Sequence, residues 1–192
     1  MATRTLDRNV VFIDPPIATK LFNSTAWAVL WLVIRLYVGY QWLSSGLGKL
    51  SNPAWVGTGE ALKGFWTKAV LIPEAPARPA IAFDWYRSFL QVLLDSNSHV
   101  WFAKLVVAGE ILIGIALILG LFTAMAAFFG GFMNWNFMMA GTASTNPVLL
   151  VLSILLILAW KTAGHWGVDR FILPIIGTPW QLGKLFQNRP SR

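Results

Sequence analysis

Four stretches of this chain are too uniformly apolar to present a wet face. They run from about Ala26 to Gly46, Val100 to Leu119, Leu121 to Met139 and Pro147 to Trp160. A helix that is apolar all round must be surrounded by protein or by lipid. A bilayer core of roughly 30 Å takes about 20 helical residues, so each stretch is a candidate span, the fourth a short one. Composition agrees, with 56% of the 192 residues hydrophobic and 12% charged, about half the charge of a soluble domain. Ser24 or Asn23 can cap the first helix, and Pro147 suits the first turn of the fourth. Gly120 and Gly141–Asn146 supply tight turns.

The expected fold is therefore all-α, a bundle of four transmembrane helices with a long extracytoplasmic loop between the first and second. The chain is read as one domain, 1–192, with tails over 1–23 and 161–192 and an outer loop over 51–99. Net charge is +7. The excess lies in the tails, at Arg4, Arg8, Lys20, Lys161, Arg170, Lys184, Arg189 and Arg192, against Asp7, Asp14 and Asp169. This is read as a topology signal and not as a nucleic-acid surface. Cationic tails place both termini in the cytoplasm of a multi-pass protein of the cell membrane. The opening segment is polar and ends in Pro15-Pro16, so no cleaved leader is expected. In the loop, Leu62, Phe65, Trp66 and Val70 recur at helical spacing, as do Tyr86, Phe89, Leu90, Leu93 and Leu94. The two form amphipathic helices opened by Thr58 and Asp84, a cap or a lid over the bundle.

An arginine inside a span costs at least about 2.5 kcal/mol and needs a partner. Arg35 in the first span and Glu110 in the second lie at similar counts from the inner helix ends, so the two are expected to pair. Arg35, Gly39, Trp42, Gly46 and Lys49 share a stripe, as do Ala103, Glu110 and Gly114, and small residues let helices pack closely in lipid. Asn134 can reach the same polar centre, with Trp42 and Trp135 as aromatic walls. Such a centre can also serve only to fix helix register.

With no cysteine, disulfides, iron–sulfur clusters and thiol-bound intermediates are excluded within the chain. The two histidines, His99 and His165, fall at opposite faces and cannot share a metal or a haem. No glycine-rich dinucleotide motif follows a strand. No metal, haem or flavin is therefore expected.

The stretches "RLYVGYQWLSSGLGKLSNPAW", "GEILIGIALILGLFT" and "AGHWGVDRFI", in this order and spacing, resemble the DoxX-like membrane family, and the long outer loop resembles its DoxD branch. The likeness runs from about Ala26 to Ile172. It implies a four-helix membrane bundle. For the DoxD branch it implies a subunit of thiosulfate:quinone oxidoreductase, working beside a DoxA-like subunit and feeding electrons to quinone. On that expectation Glu110 and Arg35 are catalytic, Trp42, Asn134 and Trp135 hold the quinone, and Lys49 and Lys104 receive the anionic substrate. The alternative is a non-catalytic structural or assembly subunit of a larger respiratory or photosynthetic membrane complex. A carrier is disfavoured, since neither inverted repeats nor broken half-helices are seen. Membrane lipid and other complex subunits are the expected partners.

Overall fold

The computed structural model describes residues 3–6, 9–12, 14–178 and 181–187. Of the tail charges, Asp7, Arg8, Arg189 and Arg192 lie outside them. A hairpin of β1 (Thr3–Leu6) and β2 (Asn9–Phe12) leads into α1 (Pro16–Asn23). The Ser24 hydroxyl then caps a single 3-10 turn, Thr25–Trp27, by accepting from the Ala26 amide. The long helices are α2 (Ala28–Leu50), α6 (His99–Leu119), α7 (Thr123–Met139) and α8 (Asn146–Leu158). Between α2 and α6 lie α3 (Pro53–Val56), α4 (Glu60–Val70) and α5 (Asp84–Asp95). After α8 come α9 (Trp160–Ala163), α10 (Asp169–Ile176), the β3–β4 pair (Gly177–Thr178 with Gln181–Leu182) and α11 (Lys184–Gln187).

Contacts α2–α6, α6–α7, α7–α8 and α8–α2 close a ring around Trp31, Val38, Trp42, Leu117, Ala127 and Leu156. Glycine sets how closely the first pair approaches. A Cβ on Gly114 would meet the Leu43 backbone at 2.6 Å, one on Gly46 the Ile111 side chain at 2.7 Å, and one on Gly39 the Ile118 side chain at 2.9 Å. The close approach expected of this stripe is present, and it fixes an antiparallel register in which Gly39 faces Ile118 and Gly46 faces Ile111.

The segments Thr25–Leu50 and His99–Leu119 are long and apolar enough to cross a membrane. The others are shorter, α7 at 17 residues and α8 at 13, with the four residues of α9 following after Ala159. All four long helices carry an exposed apolar face, including Val33 and Tyr40 on α2, Leu105 and Leu112 on α6, Phe128 and Phe132 on α7, and Val151 and Ile154 on α8. The 51–99 segment is folded over one end of this ring. Leu62, Trp66, Ile81, Tyr86 and Leu90 form a second core against Ala103 of α6 and Ala140 beyond α7. Of the apolar residues expected to face inward from these two loop helices, Phe89 is exposed instead. The first 23 residues are not all free tail, since α1 is tied down at both sides. Trp31 Nε1 donates to Leu21 O at 2.8 Å and Thr162 Oγ1 to Phe22 O at 3.0 Å.

Candidate functional site

Glu110 is 1% exposed, and its partner is Lys49, not Arg35. Lys49 Nζ donates to both carboxylate oxygens at 2.8 Å and to Ser45 Oγ at 2.6 Å, one helical turn earlier. The ammonium also lies 5.2 Å from the Trp55 ring centroid, close enough for a cation–π contact. Its side chain is 21% exposed, so the pair runs from a dry carboxylate to a partly open ammonium.

The expected Arg35–Glu110 pair is thus corrected, and the reason is register. Counting from the helix ends treated the inner ends as level. In the structure the start of α2 runs past the end of α6 to meet α9, which sets Arg35 beside Gly120, where α6 stops. Glu110 lies beside Gly46, about 16 Å further along α2. Arg35 is 1% exposed, and its Nη2 donates to Trp166 O at 2.9 Å. Its guanidinium fills a notch between Gly120 and Gly167, and a Cβ on Gly120 would overlap Nη1. Asp169, counted in the sequence among the tail charges, caps α7. Its carboxylate accepts the amides of Phe122 at 2.6 Å and Thr123 at 2.8 Å. The charge of Asp169 also attracts Arg35. Chain segments far apart in sequence are locked here, and the Asp169 and Val168 amides complete the lock by donating to Gly120 O and Leu119 O.

A cavity of about 540 Å³ opens beside the Lys49–Glu110 pair. Gln41, Trp42, Ser44 and Ser45 line it from α2, Asn134 and Phe137 from α7, and Asn146 and Leu149 from α8. Trp55, Leu62 and Phe65 close it from the loop helices. Asn134 is fully buried, yet among the described residues neither its amide nitrogen nor its oxygen has a partner, and Trp42 Nε1 is also unpartnered. An unsatisfied buried polar atom costs about 1–3 kcal/mol. Asn134 and Trp42 both line the cavity.

Of the residues singled out by sequence, Lys49, Trp42, Glu110 and Asn134 come together at this cavity. Arg35 is at the other end of the ring. Trp135 is 38% exposed and stacks in an outer aromatic cluster with Trp85 and Phe132. Lys104 is exposed on α6 and is not among the residues lining the cavity. The sequence reading missed Ser45, Trp55 and Phe137. Ser45 was legible, because it precedes Lys49 by one helical turn. Trp55 and Phe137 were not, since their place depends on how the loop folds back.

The fold and cavity define a helical protein with two helices long and apolar enough to cross a membrane and a pocket at one end of its helix ring. The model of the DoxX family matches residues 30–145, which takes in α2 through the turn before α8. The chain belongs to the DoxX family, a membrane family often associated with quinone-linked oxidoreductase subunits. No curated protein and no solved structure matches the chain.

Proposed function

We propose that this chain is the membrane subunit of a quinone-linked oxidoreductase and that the cavity beside Lys49 and Glu110 receives the quinone headgroup. The observation that carries the proposal is the fully buried, unpartnered Asn134 amide facing an aromatic-walled cavity. A quinone headgroup is flat, with acceptor oxygens at opposite ends. The Asn134 amide and the Trp42 indole can donate to one oxygen, while Phe65 and Phe137 wall the ring and the Lys49 ammonium, its three hydrogens held by Ser45 and Glu110, supplies positive charge nearby. A quinone held there accepts two electrons and two protons to become the quinol. Glu110, held by Lys49, is placed to pass a proton inward along the pair.

On this reading the four long helices all span the bilayer as one unit over 1–192, with both tails cytoplasmic and the 51–99 segment outside. The exposed apolar faces of α7 and α8 support those two further spans. The electron donor proposed is thiosulfate, as in the DoxD branch, two anions losing one electron each to give tetrathionate. A DoxA-like partner would complete the enzyme. Lys49 remains the proposed anion contact; Lys104, exposed and away from the cavity, is dropped from that role.

The discriminating variant is Asn134→Leu. Replacing an unpartnered buried amide by an apolar group of similar shape leaves stability unchanged or raises it. Binding of a short-chain quinone to the reconstituted protein should weaken about tenfold, the equivalent of one hydrogen bond. Wild-type protein that neither binds quinone nor reduces it with thiosulfate in the presence of its native partners would return the chain to the non-catalytic subunit reading.

A further inference from the structure

A second cavity, of about 500 Å³, lies at the opposite end of the helix ring from the Lys49–Glu110 pair. It is enclosed by α9, α10, β3 and the start of α11. Lys161, His165, Arg170 and Lys184 line it, together with one acid, Asp169. Its two oxygens accept backbone amides at the start of α7, and a single acid is outnumbered by the cations of this cavity. Lys161, Arg170 and Lys184 are exposed, and among the described residues none of the three forms an ion pair. Lys161 is held 5.8 Å from the Trp160 ring centroid.

The two helices that carry Arg170 and Lys184 also expose apolar side chains. Phe171 and Ile175 on α10 are exposed, as are Leu185 and Phe186 on α11. Helix α10 has its polar residues, Asp169 and Arg170, at its start. Exposed aromatics and aliphatics around a cationic hollow are the pattern of a segment lying in a bilayer interface. In that position the hollow opens at headgroup depth while Phe171 and Phe186 reach toward the acyl chains.

We propose that this cavity binds the phosphate of an anionic phospholipid, with Lys161, Arg170 and Lys184 as its charge partners and the exposed apolar side chains of α10 and α11 against the chains. The ligand must carry both features. A zwitterionic lipid brings a cation of its own beside its phosphate, and a free phosphate leaves the exposed apolar side chains of α10 and α11 uncovered. This site does not depend on the quinone reading, since it shares no residue with the other cavity.

The test uses full-length protein in mixed micelles containing equal parts phosphatidylcholine and phosphatidylglycerol, with retained lipid measured by native mass spectrometry. A second arm titrates the same protein with inorganic phosphate alone. The wild type should retain phosphatidylglycerol over phosphatidylcholine and bind inorganic phosphate far more weakly. Lys161→Gln, Arg170→Gln and Lys184→Gln should each weaken the retention about fivefold, the effect of one interfacial cation, and the triple variant should abolish the preference. Lys68→Gln, in the distant loop, should leave it unchanged. All three residues are exposed, so the variants should fold with unaltered thermal midpoints; if the triple variant does not fold, Arg170→Gln alone decides. A wild type with no lipid preference, or a preference that survives the substitutions, overturns the site. Inorganic phosphate binding as tightly as the lipid overturns the lipid assignment.

Discussion

Lys49 on the last turn of α2 holds both carboxylate oxygens of Glu110 at 2.8 Å and ties the loop end of α2 to the middle of α6. Breaking a buried ion pair by removing one member costs about 3–5 kcal/mol. The partial exposure of Lys49 brings this pair toward the lower bound. Lys49→Met leaves Glu110 buried without a counter-charge and should lower the thermal midpoint clearly. Adding Glu110→Gln to it should restore part of the loss. A double-mutant cycle in detergent measures this, and additive losses would show that the two side chains do not couple.

Arg35 should behave differently. Its guanidinium sits in the Gly120–Gly167 notch, far from the Lys49 cavity. Arg35→Gln should therefore destabilise the protein while leaving ligand affinity per folded molecule unchanged. Gly120 has φ +68 in addition to its contact with Arg35, so Gly120→Ala meets both a strained backbone and an overlap. It should be the more damaging of the two. A change in quinone affinity without loss of stability in Arg35→Gln would return Arg35 to a binding role.

Much of this arrangement was legible in the sequence. The four apolar stretches became α2, α6, α7 and α8, because long apolar periodic runs leave the backbone little alternative to helix. Lys49 was also placed on the same stripe as Arg35, Trp42 and Gly46. What the sequence did not reveal was the offset between α2 and α6. Counting from helix ends assumes level ends, whereas register is set where Gly39, Gly46 and Gly114 let backbones meet. Had Gly46 been matched to the stretch beside Glu110, Lys49 would have emerged as the nearer cation. Trp135 was assigned to the cavity because it adjoins Asn134. Consecutive helical residues point about 100° apart, and Trp135 accordingly faces outward onto Trp85. The role of Asp169 depends on α10 folding back to the α6–α7 turn, a contact no local pattern encodes.

Tyr86 supplies a pH dependence with a definite sign. Its hydroxyl donates to Asn136 O at 3.0 Å from within the loop core, and burial pushes the phenol from its ordinary 10.0 up to about 12. The fold thus favours the neutral phenol, and the unfolded chain loses the proton first. The stability Tyr86 contributes is complete below pH 10 and is lost as pH rises toward 12. Thermal midpoints should fall across that window, and Tyr86→Phe should flatten the fall. In an absorbance titration of tyrosinate, a step near pH 12 should be present, and Tyr86→Phe should remove it. A titration that Tyr86→Phe leaves unchanged near pH 12 would show that the Tyr86 phenol is not held up by burial.

The number of membrane crossings follows from which ends share a side. Helices α2 and α6 meet the length of a span on their own. Helix α7, at 17 residues, is about 25 Å long, and α8, at 13, about 20 Å. Both still expose apolar faces, with Phe128 and Phe132 on one and Val151 and Ile154 on the other. Water would penalise these faces by about 25 cal/mol per Å², which favours lipid around them and thinning of the bilayer at α8. Because the chain has no cysteine, single cysteines can be placed without background. Asp95→Cys in the folded loop and Ser144→Cys in the α7–α8 turn should react with an impermeant maleimide from outside intact cells. Lys20→Cys and Lys184→Cys should react only after permeabilisation. Reaction of Lys184→Cys from the same side as Asp95→Cys would remove one of the four spans and with it the cytoplasmic placement of the C-terminal segment.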